Sequence, residues 1–205
     1  MDGGIGRKRI GLLGGTFDPP HVGHLWLAET ARDQLQLDRV LFLPAGQPIH
    51  KQDDPVTAAS HRLAMTHLAI DGCPHFVLDT SDVKRDPPHA TYTLLPLIRQ
   101  AQPDASLWLI VGSDSLRDFP TWRQPQKVIE QCRLAVLPRP GVKVEWNLLK
   151  AAVPEVESVV DWLDGPTVAI SGTEIRRWAR AGRSLRYLVR AAVADYIDQH
   201  SLYSQ

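Results

Sequence analysis

Cysteine is scarce in this 205-residue chain: Cys73 and Cys132 are the only two. Their separation matches no metal motif and builds no disulfide scaffold, so reduced thiols in a cytoplasmic protein are expected. Long apolar runs are missing too. The longest stretches, RVLFLP and SLWLIVG, are far too short to span a bilayer, which excludes a membrane helix. Net charge is absent: 23 Lys and Arg balance 23 Asp and Glu, leaving no global basic field to attract nucleic acid. No repeat, low-complexity tract or linker interrupts the chain, so residues 1–205 are expected to form a single domain. The basic N-terminus runs into RIGLLGG, whose brief apolar run breaks at glycine and reads as a first strand rather than a signal peptide.

What the chain does contain is alternation. Short apolar runs at RIGLL, RVLFLPA, HFVLD, SLWLIVG and RLAVLP read as strands. Longer helical patterns lie between them, near GHLWLAETARDQLQ, TAASHRLAMTHLAI, TYTLLPLIRQAQ and TWRQPQKVIEQ. Two more, GTEIRRWARAG and LVRAAVADYIDQH, make a C-terminal helical part over about residues 171–205, with Gly182 placed to end the first of them. The expected class is α/β, a doubly wound Rossmann-like parallel sheet with helices on both faces. Ligands of such sheets sit beyond the C-terminal ends of the strands, and the unusual residues accumulate there.

The first of these is GGTFDPPHVGHL, residues 14–25. Gly14 and Gly15 let the backbone turn tightly and come close to a ligand, with N–H groups directed at phosphate. The following helix starts around Val22 to Leu25, so His21 and His24 share its first turn, backed by the positive end of the helix dipole. Either imidazole can donate a hydrogen bond to a phosphate oxygen. Zinc is the competing chemistry, but no second pair of ligands accompanies HxxH, and no protein metal site is expected. The second segment is ISGTEIRR, residues 170–177. Ser171 or Thr173 caps a helix with Arg176 one turn in; the pattern serves equally as a capped basic helix or as an anion cradle. A long loop, AGQPIHKQDDPV, carries His50 and Lys51 as substrate-loop candidates.

Together these segments resemble the nucleotidylyltransferase superfamily, which shares HxGH with class I aminoacyl-tRNA synthetases. Within it, the nicotinate mononucleotide adenylyltransferase family of bacteria is most similar. GGTFDPPHVGHL, PIHK, TYT, VGSDSL, FPTW, RPG, ISGTEIRR and VADYIDQHSLY follow the family's order over nearly the whole chain. The resemblance implies transfer of AMP from ATP to nicotinate mononucleotide, with release of pyrophosphate. It assigns His21, His24, Lys51 and Arg176 to catalysis. Gly14, Gly15, Thr16, Phe17, Gly112, Asp114, Ser171 and Thr173 would bind ATP; Tyr92, Thr93, Trp122, Arg123 and Arg139 would bind the mononucleotide. Mg²⁺ would be held through phosphates and water. The chain departs from the family's usual residues at Ile49, Asp82, Leu95 and Pro96.

The attacking phosphate is already anionic, so the implied mechanism needs no general base; positioning and charge neutralisation would carry it. Other readings stay open at this level: a different phosphate acceptor such as nicotinamide mononucleotide or phosphopantetheine, or a catalytically silent nucleotide-binding module on the same fold. No nucleic acid or membrane partner is expected, and the sequence leaves the oligomeric state unassigned.

Overall fold

The computed structural model describes residues 7–46 and 56–204. In chain order the elements are β1 (Arg9–Gly15), α1 (Val22–Gln34), β2 (Arg39–Pro44), α2 (Ala59–Ile70), β3 (Phe76–Leu78), α3 (Ser81–Lys84) and α4 (Thr91–Ala101). The second half holds β4 (Ser106–Gly112), α5 (Ser113–Asp118), α6 (Pro125–Ile129), β5 (Arg133–Leu137), α7 (Trp146–Ala152), β6 (Val160–Trp162), α8 (Gly172–Arg180) and α9 (Ala191–Gln199). Short 3₁₀ turns occupy Phe119–Thr121 and Val156–Val159.

The six strands form one parallel sheet in the order β3-β2-β1-β4-β5-β6. Side chains alternate across it, as a period of two requires. Ile10, Leu12, Leu41, Leu43, Leu107 and Leu109 enter one core with α4 and α6; Leu13, Val40, Phe42, Trp108 and Ile110 enter the other with α1. Strands buried on both faces explain why the sequence shows continuous apolar runs instead of alternating polarity. A third cluster joins Met65 and Ala69 of α2 to Ile175, Val193 and Ile197 of α8 and α9, which ties the C-terminal helices to the sheet layer through α2.

The expected class and all five strands are present. The sixth strand, Val160–Trp162, is a three-residue edge element and carries no run long enough to announce itself. The pattern at TWRQPQKVIEQ gives only the 3₁₀ turn and α6, because Gln124 adopts φ 52° and breaks the helix before Pro125. Gly182 ends α8 at φ 64°, its N–H bonded to the Ala179 carbonyl at 2.9 Å and that of Arg183 to the Trp178 carbonyl at 3.0 Å, the Schellman arrangement. Among the described residues no helix is long and apolar enough to cross a membrane.

Candidate active site

The chain runs outward from β1 to β3, then returns to place β4 on the other side of β1. That reversal is a topological switch point, where open α/β sheets form their ligand crevice. The register shows how it opens here: β1 pairs with β2 as far as Gly15 opposite Pro44, but with β4 only as far as Leu12 opposite Leu109. Beyond that point the strands separate. A cavity of about 490 Å³ lies there, lined by Leu13 to Thr16 on one side and Leu109 to Gly112 on the other.

The corner after β1 differs from its expected construction. Gly14 and Gly15 remain in the strand, and the turn is made by Phe17 at φ 50°. A side chain in that left-handed conformation is strained, and burial of the Phe17 ring against Phe42 and His24 holds it. Gly14 has a different role: a Cβ there would meet nothing within 4 Å, so its missing side chain keeps the cavity wall open.

His21 is the N-cap residue of α1 and His24 lies in its first turn. Their rings stack with centroids 3.7 Å apart. The His21 N–H donates to His24 Nδ1 at 3.1 Å, which makes Nδ1 an acceptor and leaves the proton of the neutral ring on Nε2. His24 lines the cavity. Burial, with His21 and Arg139 nearby, pushes the His24 pKa well below the ordinary range; burial and Arg139 lower that of His21 to about 4. Both rings are therefore neutral near pH 7, and His24 is a fixed hydrogen-bond donor rather than a cation. His21 Nδ1 is buried with no hydrogen-bond partner among the described residues.

Opposite, Asp114 lies in the first turn of α5, its Oδ2 3.3 Å from Nη1 of Arg139. The Arg139 N–H donates to Ser113 Oγ at 2.8 Å, which fixes the segment after β5 against α5. Gly112 is needed for this approach: a Cβ would lie 2.5 Å from Asp114 Oδ1 and 2.7 Å from Arg139 Nε. Gly112, Arg139, Trp122 and Arg123 all line the cavity. Trp122 packs against Phe119 at a tilt of 55°, with centroids 5.2 Å apart, and is half-buried.

Not every expected residue meets the cavity. Ser171 is the N-cap of α8, its Oγ accepting from the Glu174 N–H at 3.2 Å, so the capped-helix reading holds. Arg176 is buried; its Nη1 donates to the Asp18 carbonyl at 2.8 Å and its Nη2 to Thr173 Oγ1 at 3.4 Å. The Thr93 N–H is bonded to the Ala90 carbonyl at 3.0 Å, and its hydroxyl is engaged with Arg85, Pro88 and Ala90. Tyr92 packs on the core, and Ala90 and Thr91 face the cavity in place of Tyr92 and Thr93. Lys51 and His50 lie outside the described residues.

Two polar residues around this site, Arg62 and Tyr203, were given no role by the sequence reasoning, and a third, Asp82, was noted only as a departure from the family's usual residue. Asp82 is buried in the cavity wall, accepting from Arg85 Nε at 2.7 Å and the Gly46 N–H at 2.9 Å, with His89 Nδ1 3.8 Å away. Arg62, 2% exposed, and Tyr203 bracket the corner from behind. One signal could have revealed Arg62: it shares the buried face of α2 with Met65, Thr66 and Ala69, a register where a lone arginine must find several acceptors. For Tyr203 only its place in VADYIDQHSLY pointed anywhere.

Comparison with known proteins agrees with this geometry. The model of the cytidylyltransferase-like family matches residues 12–178. A "probable nicotinate-nucleotide adenylyltransferase" of Thermomicrobium roseum is 46% identical over 196 residues, covering 96% of this chain and 92% of that one. A protein of the same name from Salinibacter ruber is 43% identical over 194 residues, covering 95% and 97%. Among solved structures, the nicotinic acid mononucleotide adenylyltransferase of Plasmodium falciparum complexed with NaAD is similar in fold, with a TM-score of 0.78, 19% identity and coverage of 97% and 98%. With a histidine pair at the switch point and this likeness over nearly its whole length, the chain belongs to the nicotinate-nucleotide adenylyltransferase family, enzymes of the nucleotidyltransferase class.

Proposed function

We propose that the protein transfers the AMP part of ATP to nicotinate mononucleotide, giving nicotinate adenine dinucleotide and pyrophosphate, a step of NAD biosynthesis. A 5′-phosphate oxygen of the mononucleotide attacks the α-phosphorus in line. A new P–O bond forms, the bond to the α,β-bridging oxygen breaks, and its electron pair leaves with pyrophosphate. The observation that carries this reading is His24, a neutral donor with its Nδ1 occupied, facing a cavity at the switch point. Such a donor strengthens its hydrogen bond as charge builds on the α-phosphate oxygens. Thr16 and Gly15 line the same wall, Asp114 is suited to a ribose hydroxyl, and Arg139 adds positive charge. Trp122 offers a ring face for the pyridine, and the backbone N–H groups near Thr93 and Arg123, where Thr91 and Arg123 line the cavity, are the candidates for the nicotinate carboxylate. Lys51 belongs to the same reading as a phosphate ligand.

Mg²⁺ fits this site as a companion of the phosphates. Asp82 in the cavity wall is engaged by Arg85 and Asp114 by Arg139, and no group of three or more His, Cys, Asp or Glu among the described residues is arranged to hold a metal. Held through phosphates and water, it would supply partial neutralisation of the polyanion's charge.

The test is pyrophosphate release from ATP and Mg²⁺ with nicotinate mononucleotide, nicotinamide mononucleotide and phosphopantetheine offered separately. Release with the first alone is expected. Release only with another acceptor would keep the phosphate chemistry and overturn the acceptor. No release with any, despite ATP binding, would leave a silent nucleotide binder.

A further inference from the structure

The corner that delivers the histidines is conformationally costly, and the residues that sustain it lie outside the cavity. Phe17 is left-handed at φ 50°, a conformation that persists only where the surroundings over-determine it. Two buried arginines hold the carbonyls on either side of it. Arg62 Nη1 donates to the Thr16 carbonyl at 2.9 Å, and Arg176 Nη1 to that of Asp18 at 2.8 Å. Arg62 also donates to the Thr57 carbonyl at 2.9 Å and the Gly46 carbonyl at 3.1 Å, fastening the corner to the end of β2 and the start of α2.

The Asp18 side chain, 4% exposed, completes the frame. Its Oδ1 accepts from the Tyr203 hydroxyl at 2.6 Å and its Oδ2 from the Thr57 N–H at 3.2 Å. Burial, reinforced by the bond to Asp18, pushes the Tyr203 hydroxyl upward, so the phenol keeps its proton and remains the donor. Gly172 permits the close seating of α8 on this corner, since a Cβ there would lie 2.9 Å from the Asp18 carbonyl oxygen. Thr16 lines the cavity, whereas Arg62, Asp18 and Tyr203 do not.

We infer that Asp18, Arg62 and Tyr203 are positioning residues for the ATP half of the site: through the carbonyls and carboxylate around Phe17 they set where Thr16 and the His21–His24 pair stand. The last residues of the chain thus form part of the phosphate corner's support. This inference rests on the reading of the cavity as an ATP and mononucleotide site, and its test reads ATP affinity separately from turnover.

The deciding variant is Tyr203→Phe, which removes one hydroxyl and keeps the ring. Calorimetric titration of the full-length variant with a non-hydrolysable ATP analogue should show Kd raised about fivefold, the size of one ordinary hydrogen bond, as part of the lost bond is transmitted to the corner. Kd for nicotinate mononucleotide should stay within about twofold of wild type, and kcat should fall by at least the ATP factor. The double variant Asp18→Asn/Tyr203→Phe should be no worse than the more severe single, because the two act through one bond. Arg62→Lys, which keeps the charge but lacks the planar fork, should give a larger loss in the same direction; should it not fold, Tyr203→Phe still decides. A folded Tyr203→Phe enzyme with both affinities unchanged, or with both weakened equally, would overturn the inference. A wild type that binds the ATP analogue but transfers nothing to the mononucleotide would instead defeat the proposed reaction, with the positioning effect still legible in ATP affinity.

Discussion

At the corner after β1, the atoms that fix the cavity wall are held by partners as far as 185 residues away in sequence, whereas the segment from Asp82 to Thr93, which lines the same cavity, is held largely by itself. Arg85 alone donates to Asp82, Pro88, Ala90 and Thr93, all within eight residues of it. A corner fixed by the whole fold presents its donors in one geometry, which suits charge stabilisation in a transition state. A loop fixed locally can be altered without disturbing the rest, which suits acceptor choice. The ATP end should therefore respond to substitution in kcat, and the acceptor end in a single KM.

The largest break in this comparison is expected at His24. His24→Ala should lower kcat by about a hundred- to a thousandfold, the cost of losing an oxyanion-type donor, with a melting temperature within a few degrees of wild type. Steady-state kinetics within a few-fold of wild type would deny His24 that role.

Next comes the pH dependence of stability. The folded His21 pKa of about 4 lies below the ordinary 6.5, so between these values the unfolded chain binds a proton that the folded chain does not. Stability should be full above about pH 6.5 and lost as pH falls toward 4, by on the order of 3 kcal/mol from this one group. Urea unfolding of wild type and His21→Asn across that window checks it: the variant should show the flatter profile, and parallel profiles would contradict the assignment.

A smaller effect should appear at the acceptor end. Trp122→Ala should raise KM for nicotinate mononucleotide about tenfold, the worth of one aromatic stack, and leave KM for ATP within about twofold. Equal changes in both would mean the ring serves packing alone. The smallest concerns Ser171, read from the sequence as an N-cap candidate and, through the family resemblance, as an ATP ligand; its Oγ accepts from the Glu174 N–H. Ser171→Ala should cost about 1 kcal/mol of stability in thermal or chemical unfolding, with little change in KM for ATP.

The same contrast explains what the sequence disclosed. The apolar runs, the HxGH turn and the Ser171-or-Thr173 cap are local patterns; each led to an element that is present, and His24 lines the cavity. The support behind the corner left no such trace. Arg62 and Tyr203 act on backbone carbonyls and a carboxylate brought near only by the finished fold, and hydrogen bonds to backbone oxygen impose no partner residue type. The turn at Phe17 was hidden for a related reason: adjacent glycines announce a bend, but here tertiary contacts impose the left-handed conformation on a buried aromatic instead. At the acceptor end, Thr93 stood in a recognisable TYT, yet its amide is engaged by the carbonyl of Ala90, the residue just before that motif.

The most direct test of the central claim is to follow ATP labelled at the α-phosphate through a single turnover with excess enzyme, Mg²⁺ and nicotinate mononucleotide. The account predicts that the label passes straight into nicotinate adenine dinucleotide at the rate of pyrophosphate release, with none left on the protein. Label retained on the protein, or released as free AMP without the dinucleotide, would contradict it.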